Sequence, residues 1–374
     1  LYLHNSRGLP MSTVGLIFPV MGAGVMLGPP VAGWLVDHFG RKKIMQWGTF
    51  LRGTVFLSLA LLAWLNAPFE AFATALFFSA GIGTFFQNAS DAFLTDITTA
   101  KARPRAYSLI RVGTNIGWAL GPIIGSFLAR TPFALLFLIT ALLCFSGSAF
   151  VTWAIRETRP EPRDETGRAM PTVPFDWHSL HPTYLTMVLF SFVLFMLTSQ
   201  LYTTLSVFST TVTGISKNHL GMVYSINGIA IVFFQIPVTK LLDRKRAPGV
   251  LRLVMGAAFY GSGYFLVAFC HNALQTALAI LVITFGEIIV QPAIYTAVSR
   301  MSPPYCIGRF MGIFDMMRGL GFAVGPYFGA LLFDSYASRP VTLWGILASA
   351  AVIAGIGFTA VGMFGRRDTV DSTP

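Results

Sequence analysis

Apolar residues gather in eleven long runs, each closed by a short polar or Gly- and Pro-bearing segment. A helix that crosses a bilayer needs about 20 mostly apolar residues. The runs cover approximately residues 11–36, 44–65, 70–98, 106–129, 132–155, 182–206, 219–242, 249–270, 275–299, 307–333 and 340–364. They are too long and too uniformly apolar for barrel strands, which alternate between lipid and lumen. Several exceed what the bilayer requires, so tilt or projection is expected. The pattern predicts an all-α polytopic membrane protein.

One long polar stretch, Arg156–Ser179, interrupts this order. It is rich in charge and Pro, as a flexible linker is. It divides the chain into an N-terminal bundle over 1–155, a linker over 156–180, a C-terminal bundle over 181–365 and a tail over 366–374. Five runs precede the linker and six follow it. The chain starts at Leu1 and its first ten residues read as a loop, so one further helix is expected ahead of it, giving six and six.

Lys and Arg placement sets the expected topology. Of the 26 Lys and Arg, 20 fall on one alternating set of loops, and Arg7, Arg130, Lys217 and Arg339 fall on the other. Arg111 and Arg318 lie inside runs. This bias places the linker and C-terminus in the cytoplasm and the first residues outside, in a cell inner (plasma) membrane.

Composition narrows the class. The chain is 54% hydrophobic and 11% charged, where soluble domains carry about 25% charged residues. Its mean hydropathy is +0.67. A soluble enzyme, a disordered chain and a nucleic-acid module are excluded on that ground. The net charge of +11 is accounted for by the loop bias, so no nucleic-acid partner is expected. Cys144, Cys270 and Cys306 show neither disulfide nor metal spacing. No phosphate-binding loop, His-Glu-x-x-His or Gly-x-Ser-x-Gly is present. No metal and no cofactor is expected.

The two halves repeat each other. Gly117, Gly121, Pro122 and Gly125 recur as Gly321, Gly325, Pro326 and Gly329, at 325 − 121 = 204. Arg105 and Arg309 keep this offset, as do Gln87 and Gln291, while Asp37 and Asp243 stand at 243 − 37 = 206. Parallel repeats of this kind build one class of transporters. Small residues at four-residue spacing let helices approach closely, and Pro bends a helix.

Gly33-Trp-Leu-Val-Asp37-His-Phe-Gly40-Arg41-Lys42-Lys43 follows the first run. It resembles the Gly-x-Leu-x-Asp-x-x-Gly-Arg-[Lys/Arg] signature between helices 2 and 3 of the major facilitator superfamily. The stretch Ala106 to Pro122, and Phe285-Gly-Glu287 with Pro292, resemble helices 5 and 10 of its drug:proton antiporter-like members. The resemblance covers essentially the whole chain and implies two six-helix bundles related by a parallel pseudo-twofold, with the family's helix 1 missing here. It implies that the signature loop latches the outward-facing state, with Arg41 paired to Asp96 and Asp37 near Gly308. The second-half copy, Asp243 with Arg244 and Lys245, lacks the glycines and reads as degraded.

Ionisable groups inside a bilayer are costly and mark function. Asp91, Arg111, Glu287, Asp315 and Arg318 are the candidates for proton coupling or substrate binding, and in the family's fold all fall on cavity-lining or flanking helices. Glu287 is suited to carry a proton, or to pair with Arg318. Asp315 and Arg318 share a helix face at three-residue spacing, and Asp91 is within reach of Arg111. Gln87, Gln200, Tyr202, Gln235, Gln291 and Tyr295 are candidate cavity-lining residues. The expectation is a monomeric secondary transporter, not an enzyme, with a small-molecule substrate, protons and the bilayer as partners. It would export amphipathic molecules or drugs by alternating access. Uptake or exchange of a sugar or organic anion, or a non-transporting sensor, is the alternative.

Overall fold

The structure, a computed structural model, describes residues 16–127, 131–159 and 180–370. Among them it holds twelve helices and no strand. They are α1 (Ile17–Phe39), α2 (Arg41–Trp64), α3 (Phe69–Ile97), α4 (Arg103–Phe127), α5 (Phe133–Ala154) and α6 (Pro182–Gln200). There follow α7 (Thr204–Thr211), α8 (Lys217–Arg244), α9 (Gly249–Val267), α10 (Ala273–Met301), α11 (Ile307–Tyr336) and α12 (Pro340–Val370).

Local sequence explains the punctuation. Gly40 sits at φ +99°, a left-handed conformation that ends α1 and starts α2 without a linker. Pro182 opens α6, where its missing N–H costs nothing, and the His181 side chain accepts from Thr183 N–H. At the start of α10, Asn272 accepts from Gln275 N–H at 2.9 Å and Gln275 accepts from His271 N–H at 2.7 Å, an exchange of the capping-box kind.

Among the described residues, ten spans are long and apolar enough to cross a membrane. Two expectations are corrected. The run over 182–206 is not one helix: the chain turns at Leu201–Thr203, and α6 and α7 together make the span Pro182–Thr211. Helix α4 forms but is not among the ten, because Arg111, Thr114, Asn115 and its glycines dilute its apolar content. Helix α12 runs to Val370, and its membrane span is Pro340–Met363.

Contacts gather the chain into two units. One comprises residues 1–97, 124–175 and 302–319, the other 98–123, 176–301 and 320–374. Most of α4 thus joins elements of the second half, and the first part of α11 joins elements of the first. In the first unit α1 packs on α3, and α2 on α3 and α5. In the second, α8 packs on α10, and α9 on α10 and α12. The sequence repeat therefore returns as the same three pairings. Glycines permit the closest of them: a Cβ at Gly28 would lie 2.5 Å from Gly81 O, and one at Gly256 2.4 Å from Val290 Cβ. Large apolar side chains such as Trp64, Trp118 and Trp153 face outward, while Asn88, Gln200 and Gln235 are buried. This is the distribution lipid demands.

Candidate functional site

The first cluster forms where α1 meets the start of α11. A helix N-terminus leaves amides without partners and concentrates positive charge. The buried Asp37 carboxylate answers both: Oδ1 accepts from Gly308 N–H at 2.8 Å, and Oδ2 accepts from Arg309 N–H at 3.0 Å and Arg309 Nε at 3.1 Å. Gly33 is required beside it, since a Cβ there would lie 2.2 Å from Gly308 O. Arg41 Nε meets Asp96 Oδ2 at 2.8 Å, both side chains nearly out of solvent.

The linker's first residues complete this cluster, and only their charge marks them in the sequence. The Glu157 carboxylate accepts four backbone amides: Arg41 at 2.8 Å, Lys42 at 3.2 Å, and Thr158 and Arg159 at 3.0 Å each. It thereby caps the start of α2. Thr158 Oγ1 donates to Asp96 Oδ2 at 3.0 Å, and Arg159 donates to the His38 carbonyl.

The second repeat carries a counterpart that its degraded sequence conceals. Asp243 Oδ2 takes Arg105 Nε at 2.8 Å and Oδ1 takes Arg252 Nη2 at 2.8 Å. Arg105 and Arg309 are repeat-related, as are Asp243 and Asp37. Each repeat's acid therefore holds the arginine that starts the other repeat's flanking helix.

The membrane-embedded charges sort into two groups. Arg111 Nη2 pairs with Glu287 Oε1 at 2.7 Å. Glu287 also accepts from Gln291 Nε2 at 3.2 Å and from Asn227 Nδ2 at 3.0 Å, and Asn227 further bonds Thr284 Oγ1 at 2.9 Å. The carboxylate thus has three donors. Arg111 Nε and Nη1, in contrast, are buried with no hydrogen-bond partner among the described residues. This arrangement corrects the expected pairings of Arg111 with Asp91 and of Glu287 with Arg318. Arg318 instead meets Asp315 at 3.0 Å, three residues away on its own helix. Asp91 is buried, accepts from Gln87 Nε2 at 3.1 Å, and lies within the fields of Asp315 and Arg318.

The expected cavity residues divide by role. The repeat-related Gln87 and Gln291 each bond the buried acid of their own helix. Gln200 is packed between helices, donating to Gly325 O at 2.7 Å and accepting from Thr204 Oγ1 at 2.6 Å. Gln235 is likewise buried and donates to Ile288 O at 2.9 Å. Tyr202 is 55% exposed and stacks on Tyr224, while Tyr295 lies against Tyr107. Pro326 sits within continuous α11. A Cβ at Gly321 would meet Phe192 O at 2.9 Å, and one at Gly325 would meet Ser199 Oγ at 2.0 Å. Gly117 and Gly121 meet nothing within 4 Å among the described residues. The surroundings of Pro122 and Gly125 lie outside the described set. An apolar groove of about 520 Å³ between α2 and α3, with Glu70 in its lining, includes none of these charged residues. No group of three or more metal-ligating side chains occurs among the described residues.

Residues 1–326 match the family model of the Major Facilitator Superfamily. The chain is 25% identical over 350 residues to an uncharacterized MFS-type transporter, YttB, of Bacillus subtilis, covering 92% of this chain and 85% of that protein. It is 24% identical over 359 residues to Multidrug resistance protein 2 of the same organism, covering 94% and 86%. Its fold is similar to the crystal structure of the human organic anion transporter MFSD10 (TETRAN), at TM-score 0.76 and 19% identity over 96% of this chain and 88% of that one. The chain belongs to the major facilitator superfamily and is a polytopic membrane transporter, not an enzyme.

Proposed function

We propose that this transporter exports small amphipathic molecules in exchange for protons, by alternating access, with Glu287 as the proton carrier. The Arg111–Glu287 pair carries this reading. Removing one charge of a buried pair leaves the other uncompensated, at about 3–5 kcal/mol. Protonating Glu287 does this to Arg111, so arrival of a proton and release of the pair are one event. The joint between α1 and α11, with Arg41 on Asp96, supplies the latch that opens and closes access to the site. The name of the multidrug resistance relative supports export. The linker and C-terminus are placed in the cytoplasm on the charge bias.

Proteoliposomes holding an internal pH-sensitive dye test this. Candidate compounds are added across a set proton gradient to wild type, Glu287→Gln and Asp315→Asn. Substrate-dependent proton flux that disappears in Glu287→Gln supports the reading. Substrate movement without proton flux, equal in all three proteins, overturns it.

A second reading has its own observation. The unfilled donors of Arg111 suit an acidic substrate group, and an anion bound there favours a proton on Glu287. Anion and proton then travel together. Proton flux in the same direction as an added carboxylate selects this reading over exchange.

A further inference from the structure

We propose that Arg103, Arg252 and Arg300 hold the phosphate of an anionic phospholipid. Arg103 starts α4, Arg252 lies in the first turn of α9, and Arg300 ends α10. The turn ahead of α4 lies on the end of α10: Arg300 Nη2 donates to Ala100 O at 2.8 Å, and Arg103 Nη1 to Ser299 Oγ at 3.3 Å. Arg252 Nε donates to Ala247 O at 3.1 Å and its Nη2 to Asp243. Asp243 is shared with Arg105. Asp243 thus holds two guanidiniums, Arg105 and Arg252, and Arg300 stands within the fields of both Arg103 and Arg252. Like charges gathered at a membrane surface are stabilised by an anion, and a guanidinium's planar fork matches phosphate oxygens.

Phosphate chemistry is offered by a lipid headgroup and by the free ion, and the surroundings favour the lipid. Leu241 and Leu251 are about half exposed beside the cluster, so acyl chains have an apolar surface next to the cations. The cluster also lies on the Lys- and Arg-rich side, which we place toward the cytoplasm, where the leaflet is rich in anionic lipid. A bound phosphate would brace the turn that carries Arg105 to Asp243. This inference stands apart from any choice of transported substrate.

Native mass spectrometry of the full chain, from micelles with equimolar phosphatidylglycerol and phosphatidylcholine of identical acyl chains, tests it. Retained phosphatidylglycerol should exceed phosphatidylcholine, with each arginine worth about fivefold. Arg103→Gln with Arg300→Gln should remove most of the preference. Arg103→Lys with Arg300→Lys should keep most of it, which separates lost charge from a lost fold. Removing two cations elsewhere, Lys43→Gln with Arg156→Gln, should leave the preference intact. Equal retention of both lipids by wild type, or a preference undiminished in the double Gln variant, overturns the proposal. Saturable binding of inorganic phosphate without any lipid preference assigns the site to the free ion and overturns it too.

Discussion

The Glu157 carboxylate occupies the space that a Cβ at position 40 would need: a methyl on Gly40 would lie 2.4 Å from Glu157 Oε2. Two constraints therefore fix glycine here, this close approach and the φ of +99°. Gly40→Ala should cost about 1–3 kcal/mol in backbone strain, plus whatever Glu157 loses as a cap. Gly40→Ala combined with Glu157→Ala removes the clash and keeps the strain. Thermal unfolding in detergent should show the double variant less stable than Glu157→Ala alone. The increment caused by Gly40→Ala should be smaller in that background than in wild type. Equal increments in both backgrounds would mean that the carboxylate does not constrain position 40.

Arg111 and Glu287 offer a test in which stability and transport part company. Arg111→Gln strands the carboxylate and Glu287→Gln strands the guanidinium, each at about 3–5 kcal/mol. Arg111→Gln with Glu287→Gln leaves no uncompensated charge and should recover most of the unfolding midpoint. It should not recover substrate-driven proton flux, because the proton's carboxylate is gone. A double variant with both properties restored would remove Glu287 from the coupling step.

The helix pattern, the parallel repeat and the signature loop were legible because each is written in local spacing. Asp37 and Arg41 lie in one motif, and the resemblance pointed to Gly308 and Asp96 as their neighbours. The pairing of Arg111 with Glu287 was not legible, since hydropathy says that a charge is buried and not which helix faces it. Glu157 was hidden for the opposite reason: it stands among linker charges that look solvated, and only the fold returns it to the start of α2. The turn at Leu201–Thr203 lies among Thr198, Ser199, Gln200 and Thr204, polar residues that a helix also accepts, with no Gly or Pro to mark it.

Glycine at position 325 is set by backbone as well as side chain. A Cβ there would lie 2.0 Å from Ser199 Oγ and 2.6 Å from Met196 O. The serine hydroxyl can rotate away, but the carbonyl of α6 cannot. Gly325→Ala should therefore push α11 off α6 and cost about 1–3 kcal/mol as overpacking. Ser199→Ala in that background should restore only part of the unfolding midpoint. Full restoration would show that the hydroxyl alone sets the spacing and that the backbones have room to spare.

Asp37–Arg309 and Asp243–Arg105 are repeat-related pairs, so one movement of the two repeats should strain both. They are not equal in strength. Asp37 is buried and also holds two backbone amides of α11, whereas Arg105 is 54% exposed and gains less from its partner. Asp37→Asn should slow turnover severely, since an amide keeps an acceptor but loses the charge that holds Arg309 and the helix end. Asp243→Asn should slow it mildly. If the two latches release together, the double variant should fall short of the product of the single effects, because a gate already freed at one end has less to lose at the other. Initial rates of substrate transport in proteoliposomes, measured for wild type, both single variants and the double variant, give that cycle. Effects that multiply without interaction would show that each latch acts alone, and that the repeat preserves their geometry without linking their opening.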